Sequence, residues 1–396
     1  MQIRRMRKDT FSILLMAAFS AMLGLGVISP FLPAFVKAHG ANGFWLGMIF
    51  AGFGISRGII MPIVGRVSDK TGRKVFVLSG LLLYTIISLF YPRADSVYAL
   101  TIVRIIHGLA AGMIIPIVMA YVGDISEEGK EGLRTGALNM SFYLGLAAGP
   151  LLGGIFHENF GFAAVFHLMA VLGAVTFLIV LFFLPEDKRL ASEIPEGITP
   201  FNILIKYNFI KAVLIITVII TLMMAVFLSF LPSLAAKINV DANHIGIIIS
   251  VGIFLAGILQ IPFGKFADRL DRVGKLIQIS TGTAVGMLAL VAMPFCPDFT
   301  ALLAAGCLMG MGAAISMPAL TSISVGIGHK AGMGSWMGIF YAAMSIGLVV
   351  TPLISGIVMD HLGIEAVFYV LALLVLFGGL GYFYYIRRRL AGYKQG

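Results

Sequence analysis

Long apolar blocks and short polar turns alternate twelve times along this chain. The blocks occupy residues 11–36, 44–64, 75–92, 97–122, 135–157, 162–184, 209–234, 244–264, 274–295, 299–326, 333–357 and 364–386. About 20 apolar residues suffice to cross a hydrocarbon layer of roughly 30 Å as an α-helix, at ~1.5 Å of rise per residue. The pattern therefore predicts an all-α membrane protein with twelve transmembrane helices. The 47 glycines suit helices that approach one another closely in lipid better than they suit strands.

Composition agrees. Apolar residues make up 59% of the chain, charged residues 12%, and mean hydropathy is +1.01. Such a chain cannot hide its apolar surface in one soluble core, so lipid is its solvent. The net charge of +10 is unevenly placed. With the N-terminus inside, 23 of the 28 Lys and Arg fall at cytoplasmic ends and loops. Lys37, Arg93 and Lys237 fall outside, and Arg57 and Arg104 lie within helices. That asymmetry is an orientation signal placing both termini in the cytoplasm, not a nucleic-acid footprint. Arg4, Arg5, Arg7 and Lys8 could open a signal peptide, but the apolar run after them is too long for one. Cys296 and Cys307 are too few for a disulfide framework or a metal site.

The two halves of the chain are related. Gly145–Leu172 matches Gly347–Leu374 at twelve positions, at an offset of 202. Phe31-Leu32-Pro33 meets Phe230-Leu231-Pro232, and Gly65…Asp69 meets Gly264…Asp268, both at an offset of 199. The expected organisation is a six-helix bundle over 1–184, a cytoplasmic linker over 185–208 and a second six-helix bundle over 209–396. A substrate site between repeats, near mid-membrane and open alternately to each side, follows from that symmetry. A monomer suffices for it.

Three motifs sharpen the reading. Gly65-x-x-x-Asp69-Lys70-x-Gly72-Arg73-Lys74 is a dense charged turn between the second and third blocks. Gly145-x-x-x-Gly149-Pro150-x-x-Gly153-Gly154 puts small residues on one face of the fifth, with a proline that bends it. Arg104-x-x-x-Gly108-x-x-x-Gly112 lies in the fourth. In these motifs, and across nearly its whole length, the chain resembles the major facilitator superfamily, most of all its drug/proton antiporters. The resemblance implies a non-enzymatic secondary transporter of the inner membrane of a prokaryote, working by alternating access. It needs no cofactor and draws on the proton gradient. It also implies that Asp69 is held against the start of the eleventh helix near Gly334, latching the halves.

The residues themselves suggest roles. Gly65 allows close helix packing and Gly72 a chain reversal. Asp124, ending the fourth helix, is placed to pair with Arg73 across the same face, whereas Lys70 and Lys74 read as topology anchors. The glycine face of the fifth helix is expected either to roll against the eighth helix as a gate or simply to pack. Charges within the bilayer are costly and mark function: Arg57, and Arg104 with His107 one turn deeper. Asn139 and Gln260 join them as candidates for the substrate or proton pathway, because buried amides need partners. Ser29, Tyr143, Phe227, Phe230, Met317, Trp336 and Tyr341 are further cavity candidates that read first as packing.

None of the 18 Asp and Glu lies mid-membrane. A cationic substrate would thus meet no buried anion, and proton coupling would have to use His107, Asp124 or Asp69. The function expected is proton-coupled export of small lipophilic compounds, neutral or anionic. The alternative is a facilitator or importer of an organic anion on the same fold. The partners are the substrate and the bilayer, with no nucleic acid.

Overall fold

A computed structural model describes residues 2–28, 31–32, 35–36, 39, 43–127, 129–185 and 207–393. Ser29, Pro33 and most of the expected linker lie outside the described residues. Twelve of the helices are long and apolar enough to cross a membrane. In the first half they are α1 (Gln2–Ile28), α2 (Gly43–Thr71), α3 (Lys74–Ser88), α4 (Val97–Ile125), α5 (Glu131–Phe160) and α6 (Phe162–Phe183). The second half holds α7 (Asn208–Lys237), α8, α9 (Arg272–Ala292), α10 (Phe299–Ala331), α11 (Met333–Leu362) and α12 (Ile364–Tyr393). Most helices outrun their apolar blocks by a turn or more, because the polar ends can stand in the headgroup region.

Span α8 is broken. It runs as Ala242–Ile258 and Gln260–Asp268, with Leu259 between. Pro262 explains the break: its ring collides with the carbonyl four residues back, that of Ile258, and it offers no N–H in return.

Local chemistry fixes the turns. Ser96, Asp241, Asp271 and Asp298 cap α4, α8, α9 and α10, each accepting from a backbone N–H three residues on. Both copies of the internal repeat carry the same backbone device at the same place. Gly161 (φ 83°) joins α5 to α6 and Gly363 (φ 86°) joins α11 to α12, a left-handed conformation that favours glycine.

The helices form two six-helix bundles that meet along two seams, α2 against α11 and α5 against α8. Between the seams the interior is packed with apolar side chains such as Phe227, Phe230, Met317, Trp336 and Phe340. Exposed Ile59, Tyr98, Phe182 and Phe377 face outward, where lipid replaces water as their solvent. One end of the bundle carries the loops rich in Lys and Arg and is called here the basic face.

Candidate functional site

On the basic face Asp69 reaches across the first seam. Its Oδ1 accepts from Gly334 N at 2.8 Å, and its Oδ2 accepts from Ser335 N at 2.7 Å and Ser335 Oγ at 2.8 Å. Gly334 and Ser335 are the second and third residues of α11, whose own N-cap, Gly332, has no side chain to offer. Asp69 thus caps a helix of the other half, where unsatisfied N–H groups and the helix dipole both favour a carboxylate. Behind it, buried Arg73 places Nη2 3.4 Å from Asp69 Oδ1 and Nη1 2.5 Å from Asp124 Oδ2. Gly72 turns the chain between α2 and α3 at φ 95°.

Gly65 sits where α2 crosses α11. A Cβ there would overlap the Gly334 carbonyl oxygen, and it would come within 3.2 Å of Gly338 Cα. Gly65→Val is therefore expected to prise the seam apart and cut transport at least ~10-fold, the effect of roughly 1.4 kcal/mol of overpacking strain. Uptake assays on matched amounts of folded protein check this.

The second seam repeats the device. Asp268 Oδ1 accepts from Gly132 N at 2.6 Å and Asp268 Oδ2 from Leu133 N at 2.8 Å. These are again the second and third residues of a helix, α5, whose N-cap Lys130 makes no side-chain cap. Asp268 was missed as a site residue, although the 199-residue offset pairs it with Asp69. The copies differ behind the carboxylate. Arg272, in the place of Arg73, lies over the Phe209 ring at 5.2 Å. Lys275 donates to Ser322 Oγ at 2.8 Å, and Asp271 replaces the turn glycine and caps its own helix. Asp268 is thus held by two backbone donors without an arginine bridge to a second carboxylate. Asp268→Asn is expected to loosen this seam by only ~1 kcal/mol, the scale of a lost N-cap. A cysteine at buried Ser324 should then be alkylated from the basic face only a few-fold faster.

Further in, Asn139 Nδ2 donates to Thr321 Oγ1 at 3.3 Å, and Thr321 donates to Thr135 Oγ1 at 3.2 Å, joining α5 to α10. Gln260, at the break in α8, is 0% exposed and neither amide atom has a partner. Trp336 Nε1, Tyr341 Oη and Ser324 Oγ are likewise buried without partners. Orphaned buried polar atoms are rare in native proteins, so these are groups a ligand could satisfy. Tyr143 packs against Gly257 of α8.

The glycine face of α5 needs a correction. Gly145, Gly149 and Gly153 do not meet α8. Side chains there would run into Phe19, into Gly26 with Val27, and into Phe31, all belonging to α1 or the residues just after it. Gly154 faces open space, and Pro150 lies inside the helix. The glycines of α5 that meet α8 are Gly132 and Gly136, about two and a half turns nearer the basic face than Gly145.

Two buried arginines stand apart from every carboxylate described above. Arg104 on α4 is 1% exposed. Its guanidinium carbon lies 4.4 Å from the centre of the Phe53 ring and 5.7 Å from that of Phe50, a cation–π cradle. It lies beside the Tyr91 hydroxyl, yet none of its three nitrogens reaches hydrogen-bond geometry with a protein acceptor. The Tyr91 hydroxyl is engaged elsewhere, 2.8 Å from His107 Nδ1. His107 is wholly buried, boxed edge-on by Phe53, Tyr84 and Tyr91. It holds Tyr91 through Nδ1, and its Nε2 is buried without a partner.

Arg104 lines a small cavity of about 20 Å³ to which both halves contribute. Leu25, Phe50 and Phe53 come from the first half, and Ala225, Ser229, Leu348 and Pro352 from the second. The cavity is this small because α2 and α11 touch along their length. Gly47 faces the Pro352 carbonyl at one end and Gly65 faces Gly334 at the other. Arg57 on α2 is 3% exposed, its Nε unpartnered, and it lies near Tyr341 of α11. Its backbone is level with Gly112. Arg104 therefore lies eight residues, ~12 Å of helix, farther from the basic face.

Twelve spans in two matched bundles, with trans-capped seams around a buried cation, define a membrane transporter. The sequence profile of the Major Facilitator Superfamily matches residues 14–227 and 213–395. The chain belongs to that superfamily. It is 31% identical over 373 residues to multidrug resistance protein 2 of Bacillus subtilis, covering 89% of this chain and 90% of that one. It is 27% identical over 370 residues to the quinolone resistance protein NorA of Staphylococcus aureus, covering 92% and 93%. An MFS-type transporter of Methanocaldococcus jannaschii is 26% identical over 365 residues, covering 91% and 93%. The human organic anion transporter MFSD10 shares the fold at TM-score 0.76 and 18% identity, over 95% of this chain and 99% of that one.

Proposed function

We propose that this protein exports small lipophilic compounds, neutral or anionic, across the cytoplasmic membrane of a prokaryote in exchange for protons. The basic face lies in the cytoplasm, as its Lys and Arg excess favours, with both termini there and 185–208 linking the bundles. A single chain carries the whole path. The observation that carries the substrate class is Arg104: a buried cation in an aromatic cradle at a cavity between the halves, with no ion pair to a carboxylate among the described residues. A ligand carboxylate or sulfonate would supply the acceptor, and the surrounding Phe50 and Phe53 would take its apolar body.

Export is favoured by relatives named for quinolone and multidrug resistance. The proton is assigned to Asp69, beside Arg73 and Asp124, because its carboxylate loses the Gly334 and Ser335 donors when the seam opens. His107 keeps Tyr91 in place and carries no proton in this scheme. The second reading, a facilitator or importer of an organic anion, draws on the same arginine and on the anion transporter that shares the fold.

Purified protein in liposomes holding a pH dye separates the two. Under an imposed gradient, anionic and neutral lipophiles are expected to move protons opposite to themselves. Substrate movement with a silent dye at every pH would select the facilitator.

A further inference from the structure

The seam between α2 and α11 opens sideways into a groove that transport does not explain. Its volume is about 950 Å³. One wall is α2, from Gly54 to Arg66; α7 and α12 form the other, and α11 the floor. Small residues hollow it out, Gly58 and Ala342 among them. Exposed Ile55, Ile59 and Ile346 line its mouth on the lipid side. Arg66 closes the end at the basic face. It is exposed, and among the described residues no hydrogen bond or ion pair engages it.

We infer that this groove binds one acyl chain of an anionic phospholipid from the leaflet on the basic face, with Arg66 on its phosphate. Length argues for it. From Gly54 to Arg66 is twelve residues, ~18 Å of helix, close to half of a roughly 30 Å hydrocarbon core. The groove is thus one leaflet deep. Charge argues for the headgroup, since a cation at the interface attracts an anionic lipid.

The location gives the lipid a consequence. The walls belong to opposite halves, and Ser335, which lines the groove, also donates to Asp69. An acyl chain there touches both halves only while the seam is shut. A ligand that binds one state better shifts the population toward it, so the lipid stabilises the form closed on the basic face.

The test is native mass spectrometry of the full chain released from nanodiscs of equimolar phosphatidylglycerol and phosphatidylcholine with matched chains. The wild type is expected to retain one lipid, phosphatidylglycerol by roughly five-fold, as one interfacial charge predicts. Arg66→Gln should still retain a lipid but lose the preference. Val218→Trp and, separately, Val350→Phe fill the groove and should retain none; monodisperse elution shows which of them is folded. Retention matching the bulk lipid ratio in the wild type, or an unchanged preference in Arg66→Gln, overturns the headgroup assignment. Undiminished retention in a folded groove-filling variant overturns the groove.

Discussion

Arg104→Met is expected to make the protein more stable and to stop it carrying anions. The two effects have one cause. Arg104 lies in the outer third of α4 with aromatic faces and no carboxylate for company, so the fold bears the cost of a desolvated charge without a matching ion pair. Replacing buried charges by apolar groups of similar volume is often stabilising, by about 1–4 kcal/mol. A gain of roughly 2 kcal/mol, several degrees in melting temperature, is therefore expected. Loss of one partner of a buried charge pair costs about 2–5 kcal/mol, so transport of an anionic lipophile should fall ~100-fold or more. A neutral analogue should be carried almost as before. Arg104→Lys keeps the charge but not the planar fork and should fall between. Melting curves, with paired uptake of the anion and its neutral analogue, read all of this. A destabilised Arg104→Met protein that carries both compounds equally poorly would make Arg104 a structural residue.

The sequence announces some of this and is silent on the rest, for physical reasons. Spans are legible because a bilayer demands length and apolarity, two properties a chain displays without reference to its partners. Asp69, Arg73 and Asp124 are legible for a related reason. Charge is scarce here, and a carboxylate beside an arginine at a helix end has few things to do. Glycines are different. The face of Gly145, Gly149 and Gly153 declares that something comes close but not what. Ten of the other eleven spans carry glycines of their own, so a glycine face alone does not name the helix it meets.

Two other features were present in the sequence and overlooked. The repeat offset already placed Asp268 opposite Asp69, and Pro262 marks the break that leaves Gln260 without partners. By contrast, Tyr91 could not be tied to Arg104 and His107. It belongs to a short turn, Tyr91–Arg93, and only the fold of that turn brings its hydroxyl to the imidazole. The groove at Arg66 is equally hidden, because its walls come from helices that lie more than 140 residues apart in the chain.

The other large effect belongs to Asp69. Asn at this position keeps the shape and removes the charge. It also turns one end of the side chain into a donor facing the α11 N–H groups, so at most one of the two capping oxygens remains. Hydrogen bonds to a charged group contribute about 1.5–3 kcal/mol each, and the dipole of α11 adds a few tenths to one more. A net loss of roughly 2–3 kcal/mol from the closed form is expected, a shift of ~30–150-fold toward the form open on the basic face. Arg73 and Asp124 do not compensate, since their pairing stays within the first half. Alkylation of a cysteine at Ser324, with Cys296 and Cys307 replaced by Ala, reports the opening. It should accelerate by more than ten-fold in Asp69→Asn and by only a few-fold in Asp268→Asn. Transport should nearly vanish in the first, because a carrier that cannot close on one side no longer alternates. Equal rates in the two variants would mean that the Ser335 hydroxyl, the third donor that Asp268 lacks, adds nothing to the first seam. The two caps would then be interchangeable, and opening would have no preferred side.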